Sequence, residues 1–321
     1  MSVLGRDEGL EIVIKLLYFG FDVILPLLVG YLLLRFSALK QRFFDWLIVC
    51  NLLVVSSVLT LLSLWQLKIS VHLLYLPLLG ILMHVVPGII AYLRVKAKYS
   101  QPLDQGSYLL SAMLFNGGTL GGLVAFFIYG ESGYAYTMII LLFANLVLFL
   151  FCFPLAQHYH ELGQGQLVDP ISWKKLLLNR NQLPVISIVV GLALSYEQVP
   201  RPEIFELIFK TLVHLGAWSA LIPVGFAINF AKIRPYWRHT TDMLWIKFLV
   251  APLILFALTY PVITDKVTLY TVLIVGSTPT GINAVLTARL YRLNIHIATA
   301  SFVLTTGFYL LVVVPVLLLL L

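Results

Sequence analysis

The feature that most constrains this chain is a succession of long apolar runs, separated by short polar or Gly/Pro-containing connections. A helix needs about 20 apolar residues to cross a bilayer. The runs are continuous rather than alternating in polarity, so they predict helices and not strands. We predict an all-α polytopic membrane protein with ten spans, at residues 12–34, 43–65, 71–94, 106–129, 132–156, 182–196, 203–230, 241–261, 267–289 and 294–321.

Composition supports this class and excludes others. Of the 321 residues, 60% are hydrophobic and 11% are charged, whereas roughly 25% are charged in a soluble domain. Too few charges remain to coat a soluble enzyme, and a disordered chain is excluded too. The net charge of +7 lies in short loops, so it indicates orientation in a lipid bilayer and not a nucleic-acid partner. The two cysteines lie in apolar runs, so no disulfide framework is indicated.

The distribution of lysine and arginine predicts the orientation, because cytoplasmic loops are enriched in these residues. The loops after the odd-numbered spans contain 14 of them, and the termini and the other loops contain 6. We therefore expect the odd-numbered loops in the cytoplasm and both the N-terminus and the C-terminus outside, in the cell (inner) membrane. The opening segment has acidic residues where a signal peptide would have basic ones, so we expect a retained first helix.

The chain is expected to consist of two halves. The longest polar connection, residues 157–181, separates five spans from another five. Because five is odd, a repeated unit of five helices has opposite orientations in the two halves, which is an inverted-topology repeat.

The fourth and ninth spans are the least compatible with a continuous helix. Glycine weakens a helix by about 1 kcal/mol relative to alanine, and proline removes a backbone donor. Interrupted helices at matching places in two halves indicate a transport site, whose helix N-termini attract anions. Close packing of helices through small residues is the alternative explanation. The residues concerned are Asn116, Gly117, Gly118, Thr119, Gly121 and Gly122 in the fourth span, and Ser277, Thr278, Pro279, Thr280, Gly281 and Asn283 in the ninth.

These two segments, Asn-Gly-Gly-x-x-Gly and Ser-Thr-Pro-x-x-x-Asn, resemble the auxin efflux carrier family. The same resemblance extends to NRNQLPVISIVVGLAL, to ALIPVGFAINF and to the final ARLYRLNIHIATASFVLTTGFYLLVVVPVLLLL. The family contains plant PIN-type exporters and bacterial permeases for carboxylates such as malate, and it is related in fold to the bile acid:sodium symporters.

The resemblance implies a scaffold and a moving core. The scaffold would comprise residues 1–68 and 182–230, the core residues 69–156 and 231–321, with residues 157–181 as a cytoplasmic loop. The two broken helices would cross in the core, an elevator-like motion would carry the site across the membrane, and the scaffold helices would form a homodimer.

Several other residues have two interpretations. Asp22 is either a functional carboxylate or an acid at the outer interface, and Lys247 either extends to the cytoplasmic face or points inward to a substrate carboxylate. His84 and His214 could relay protons, although a histidine hydrogen-bonded within the bundle is the commoner case. His158 and His160 have no acid or cysteine nearby to complete a metal site, so no metal or other cofactor is expected.

The sequence therefore predicts a secondary transporter of a small organic anion, auxin-like or malate-like, working by export or uniport. No ATP-binding motif and no clustered catalytic set is present in the sequence, so we expect no enzyme. Two alternatives stay open, a sodium-coupled organic anion symporter and a membrane sensor that binds a ligand without transporting it.

Overall fold

In a computed structural model, the part of the chain that can be described comprises residues 17, 20–36, 41–68, 71–164, 183–227 and 234–321. Within these residues the regular structure is helical throughout, and no strand occurs. Five segments are long and apolar enough to cross a membrane: Leu73–Lys98, Gly117–Phe143, Ile204–Pro223, Asp242–Thr259 and Ile295–Leu320. Large apolar side chains such as Leu93 and Leu311 are about three-quarters exposed (77% and 75%). Exposed apolar surface on long apolar helices is what a lipid-embedded protein presents.

We number the helical segments in chain order and treat short π or 3-10 turns as part of the helix that they adjoin. The longer segments are α1 (20–36), α2 (41–65), α3 (71–98), α4 (Pro102–Met113), α5 (117–129), α6 (131–164), α7 (Leu183–Tyr196), α8 (Ile204–Ala227), α9 (Asp242–Thr259), α10 (Lys266–Gly276), α11 (Ile282–Leu290) and α12 (Ile295–Leu320). Two short helical turns, Arg234–Tyr236 and Trp237–Thr240, precede α9.

Helices α5 and α6 form a tight hairpin. Gly130, between them, has a φ of 62°, a left-handed conformation that glycine adopts without steric cost. The two helices then pack so closely that a Cβ atom at Gly133 would lie 2.4 Å from the carbonyl oxygen of Ala125. The apolar segment Gly117–Phe143 is therefore two helices and not one continuous span.

Helix α6 is longer than predicted. The sequence places a loop from residue 157, whereas the helix continues to Gln164. Its last turns are polar in composition, but they have one face that packs on α4. A Cβ atom added at Gly106 would lie 2.7 Å from the Cβ atom of Tyr159, and one added at Gly163 would lie 2.7 Å from the side chain of Leu103. Tertiary packing extends the helix, and the loop boundary at residue 157 is corrected accordingly. The rest of the predicted loop, residues 165–181, lies outside the described residues.

Glycines bring α1 and α8 into direct backbone contact. A Cβ atom at Gly30 would lie 2.0 Å from the carbonyl oxygen of Ile222, and one at Gly225 would lie 2.1 Å from that of Leu27. Small residues at these positions allow the close helix approach that is common in membranes. Helices α2 and α7 form a second extensive contact, so α1, α2, α7 and α8 make up one group of neighbouring helices.

A buried carboxylate joins α3, α4 and α9 at one end. Asp242 accepts hydrogen bonds from the ammonium of Lys98 and from the hydroxyl of Tyr108, the latter at 2.5 Å. Its side chain is 10% exposed, and Arg94 lies 3.7 Å away. Since two helices contribute donors to a carboxylate on a third, the pairing fixes their relative positions.

We expect Asp242→Ala to lower the free energy of unfolding by about 3 kcal/mol, because it leaves the donors of Lys98 and Tyr108 without their acceptor in a buried place. Thermal unfolding of the purified protein in detergent measures the change. The matched control is Glu206→Ala, which breaks an exposed pair with Lys210 and should not shift the melting temperature. Equal shifts for the two variants would show that the Asp242 cluster contributes no more to stability than the exposed pair.

Candidate substrate site at the helix breaks

Two helical segments are each interrupted, so that each consists of a pair of shorter helices. Helix α4 ends at Met113 and α5 begins at Gly117, while α10 ends at Gly276 and α11 begins at Ile282. Both interruptions fall on the glycine- and proline-containing segments that the sequence singles out. An interruption leaves backbone N–H and C=O groups without intrahelical partners, so in an apolar surrounding each group needs a partner elsewhere.

The two breaks satisfy each other through backbone hydrogen bonds. The N–H of Asn116 donates to the carbonyl of Pro279 at 2.9 Å, and the N–H of Gly281 donates to the carbonyl of Leu114 at 3.0 Å. Phe115 and Thr280 thus form one antiparallel bridge. A Cβ atom at Gly281 would lie 2.8 Å from the carbonyl oxygen of Phe115, so glycine allows the chains to approach this closely.

Hydroxyl groups complete the backbone pairing. Thr280 donates its hydroxyl to the carbonyl of Ser111 at 2.9 Å, while its own N–H donates to the hydroxyl of Thr305 at 3.0 Å. The hydroxyls of Ser277 and Thr278 donate to carbonyls of the last turn of α10. These three predicted ligands are buried, and in this structure their hydroxyl protons are used on the protein backbone.

A pocket opens beside the fourth-span break. Its empty volume, including the part open to the surroundings, is about 490 Å³. From α5 it is lined by Gly118 and Thr119, and the facing helices α2 and α8 contribute Ser56 and Gly216 among others. The first turn of α5 therefore faces a cavity, with Thr119 only partly buried.

The two predicted asparagines lie in different surroundings. Asn116 is 8% exposed and directly precedes α5, and its side-chain amide makes no hydrogen bond within the described residues. Asn283 is exposed on α11 and is not among the residues that line the pocket. Gly121 and Gly122 are buried in α5, where a Cβ atom at Gly121 would lie 3.0 Å from Thr278 of the other broken pair. The structure thus brings the two segments together but directs their amides to different places.

Lys247 points inward. Its side chain is on α9, it is 2% exposed, and its ammonium donates to the carbonyl of Leu114 at 3.2 Å. The alternative of a lysine extending to the cytoplasmic face is therefore wrong. His84, on α3, also lies beside the break, with its ring centroid 4.6 Å from that of Phe115 and its Nδ1 2.8 Å from the carbonyl of Gly80.

Asp22 is not among the residues that line the pocket. Its side chain is fully buried, and one carboxylate oxygen is 2.6 Å from Nδ1 of His214 on α8. An acid in contact with water at an interface would be exposed, so that interpretation does not fit. The pair joins α1 to α8, and His214 has the role of a histidine bonded within the bundle.

Sequence reasoning missed part of the pocket wall. Ser56 and Tyr134 line the pocket from α2 and α6, yet each lies in an apolar run with no neighbouring signal. The amide of Asn51 on α2 donates to the carbonyl of Gly216 on α8 at 2.7 Å, which is a contact between helices. Asn51 lines the pocket as well. No group of three or more metal-ligating side chains occurs in the described ranges.

No protein-family model matches the chain, and no curated protein matches it.

We expect Gly281→Ala to destabilise the protein by about 1–3 kcal/mol, because the added methyl group forces the two broken segments apart. Thermal unfolding in detergent measures this. Gly307→Ala on α12 is the control, since a Cβ atom there would meet nothing within 4 Å. If both variants unfold at the wild-type temperature, the close approach at Gly281 has no energetic importance.

Proposed function

We propose that the protein is a secondary transporter of a small organic anion, such as a malate-like or auxin-like carboxylate, and that it works by an elevator-type motion. The observation that carries this proposal is the backbone bridge between the two interrupted helical pairs. Paired interrupted helices at the middle of a bundle are the arrangement by which transporters bind substrates within the membrane.

In this proposal α4 with α5 makes one interrupted span, and α10 with α11 makes another. The chain then has ten spans in two inverted halves of five, and the interrupted spans occupy the fourth place in each half. Residues 1–68 and 182–230 form the scaffold, residues 69–156 and 231–321 form the core, and the scaffold helices provide a homodimer contact. This division is the one that the resemblance to the auxin efflux carrier family implies.

An anion suits the electrostatics of the break. The first turn of α5 has backbone N–H groups at Gly117, Gly118 and Thr119 that lack the usual acceptor four residues earlier. They form the positive end of a helix dipole, and two of these residues line the pocket. We propose that Asn116 and Thr119 add an amide and a hydroxyl from the α5 side, and that Asn283 and the 277–281 segment complete the site after rearrangement.

Long-range polar contacts are more numerous within each of two groups of helices than between them, where Tyr134 is hydrogen-bonded to Ser56 and Arg201 to Glu131. Within the proposed scaffold they include Asp22–His214, Asn51–Gly216, Trp65–Val199, Ser195–Leu67 and Arg201–Leu62. Within the proposed core they include Lys98–Asp242, Tyr108–Asp242, Asp104–Asn294, Thr280–Ser111 and Lys247–Leu114. Such a division supports two bodies that move relative to each other.

We expect Asn116→Ala and Thr119→Val to weaken carboxylate binding roughly 10- to 150-fold, because a hydrogen bond to a charged group contributes about 1.5–3 kcal/mol. The ligand is first found by a thermal-shift screen of mono- and dicarboxylates, with sodium or potassium as counter-ion. Binding constants are then measured for the variants, and uptake of the same carboxylate is measured in proteoliposomes.

Thr299→Val is the matched control, since that hydroxyl donates to the carbonyl of Ile295 in its own helix and Thr299 does not line the pocket. Wild-type affinity in both site variants would reject this site. Binding without uptake would instead favour a membrane sensor, and uptake that requires sodium would favour the symporter.

In the described part of the chain, one ion pair joins the two proposed bodies. Arg201, in the connection before α8, forms two hydrogen bonds with the carboxylate of Glu131 at 2.8 and 3.2 Å, next to the turn at Gly130. The arginine side chain is 2% exposed and also donates to the carbonyl of Leu62. If the core slides against the scaffold, this pair has to separate in each transport cycle.

We therefore expect a covalent link at this pair to stop transport. Glu131→Cys and Arg201→Cys are introduced together, Cys50 and Cys152 are replaced by alanine, and the two thiols are joined with a bifunctional methanethiosulfonate reagent. Uptake of the carboxylate found in the screen should be lost, and a reducing agent should restore it.

The matched control links Asp104→Cys to Asn294→Cys, whose native side chains are hydrogen-bonded at 2.8 Å within the proposed core. Uptake should survive that link, because both positions move together. Undiminished uptake after the link between positions 131 and 201 would rule out a motion that separates these bodies.

A further inference from the structure

A buried lysine of α9, Lys247, contacts the C-terminal end of α4. Leu114 directly follows Met113, the last residue of this half-helix, and is its C-cap. Its carbonyl accepts two hydrogen bonds, one from the N–H of Gly281 at 3.0 Å and one from the ammonium of Lys247 at 3.2 Å. Lys247 is therefore in contact with the point where the two broken segments meet.

Among the described residues, the ammonium of Lys247 is buried without a carboxylate partner. No carboxylate lies within 4.0 Å of its ammonium in the described ranges of the chain. The titratable groups that face it are the thiol of Cys152 on α6 and the ring of His84 on α3. The ammonium donates to the backbone carbonyl of Leu114, at the C-terminus of α4, which is the negative end of a helix dipole.

A simple need for a hydrogen-bond donor does not account for this residue. A neutral amide or hydroxyl would satisfy the carbonyl of Leu114, and a buried ammonium loses much more hydration free energy than either. The carbonyls of unwound segments and half-helix C-terminal ends are, however, the groups that coordinate mobile cations in ion-coupled transporters. The ammonium of Lys247 lies against such an end.

We propose that Lys247 is a built-in cation of the helix crossing and takes the place of a coupling sodium ion. This inference rests on the proposed transport function, and it adds to it how the site is charged. The lysine is a positioning residue. It stabilises the end of α4 on one side of the break, and the first turn of α5 on the other side faces the pocket. A transporter of this design moves its own cation with the core and does not need sodium.

The first experiment asks whether a free cation can replace the side chain. Lys247→Ala keeps the Cβ atom and removes the rest, which is equivalent to a propylammonium ion. We expect this variant to unfold at a lower temperature than wild type in detergent. Propylammonium chloride at roughly 50–100 mM should raise the melting temperature of the variant by about 2 °C or more, because it binds to the folded state.

Three comparisons make the result specific. Tetramethylammonium chloride has the same charge but no N–H donor, so it should not stabilise Lys247→Ala. Lys247→Met fills the space without charge, and neither Lys247→Met nor wild type should respond to propylammonium. An unresponsive Lys247→Ala, or an equal response in all three proteins, overturns the proposal.

The second experiment needs no variant, so it decides the matter even if Lys247→Ala does not fold. Wild-type melting temperatures are compared in sodium chloride and choline chloride at equal ionic strength. We expect no difference, because the cation position is already filled. Stabilisation specific to sodium overturns the proposal. Neither experiment uses a carboxylate, so a failure here is distinguishable from a failure to transport anions.

Discussion

Two backbone hydrogen bonds between residues 114–116 and 279–281 are the contacts on which the middle of this structure depends. In an apolar surrounding, a broken helix is stable only if its free N–H and C=O groups find partners. Each break supplies the partners of the other, so neither is tolerable alone. The hydroxyl of Thr280 and the ammonium of Lys247 then satisfy further carbonyls at the ends of the same half-helices.

Packing and function are not competing explanations for the small residues here. Gly281 is where two backbones come closest, which is a packing requirement, and the same contact holds the first turn of α5 beside an open pocket. Ser277, Thr278 and Thr280, which the sequence suggests as ligands, donate to backbone carbonyls in this structure. Their residue type is explained by the break itself, and the unbonded amide of Asn116 stands out from them.

Local chemistry made the helices and both breaks predictable. Glycines at 117, 118 and 121 and Pro279 act within a few residues of their own position, so their effect can be read without a tertiary structure. The direction of Lys247 could not be predicted, because it depends on a carbonyl 133 residues away in sequence. The Asp242 cluster, the Ser56 and Tyr134 walls of the pocket and the last turns of α6 depend in the same way on partners from distant helices.

Many hydroxyl groups in the bundle donate to a carbonyl one turn earlier in their own helix, as in Thr60, Thr137, Thr259 and Thr271. A helix whose hydroxyl groups are hydrogen-bonded within the same helix contacts its neighbours mainly by van der Waals packing of side chains. Where α5 faces α2 and α8, the contact is made by apolar residues such as Leu59, Leu123 and Phe209. Dispersion contacts are weak individually and have no strict direction. Under the proposed transport function, sliding along this plane would depend on the volume and stiffness of these side chains as well as on the Glu131–Arg201 ion pair.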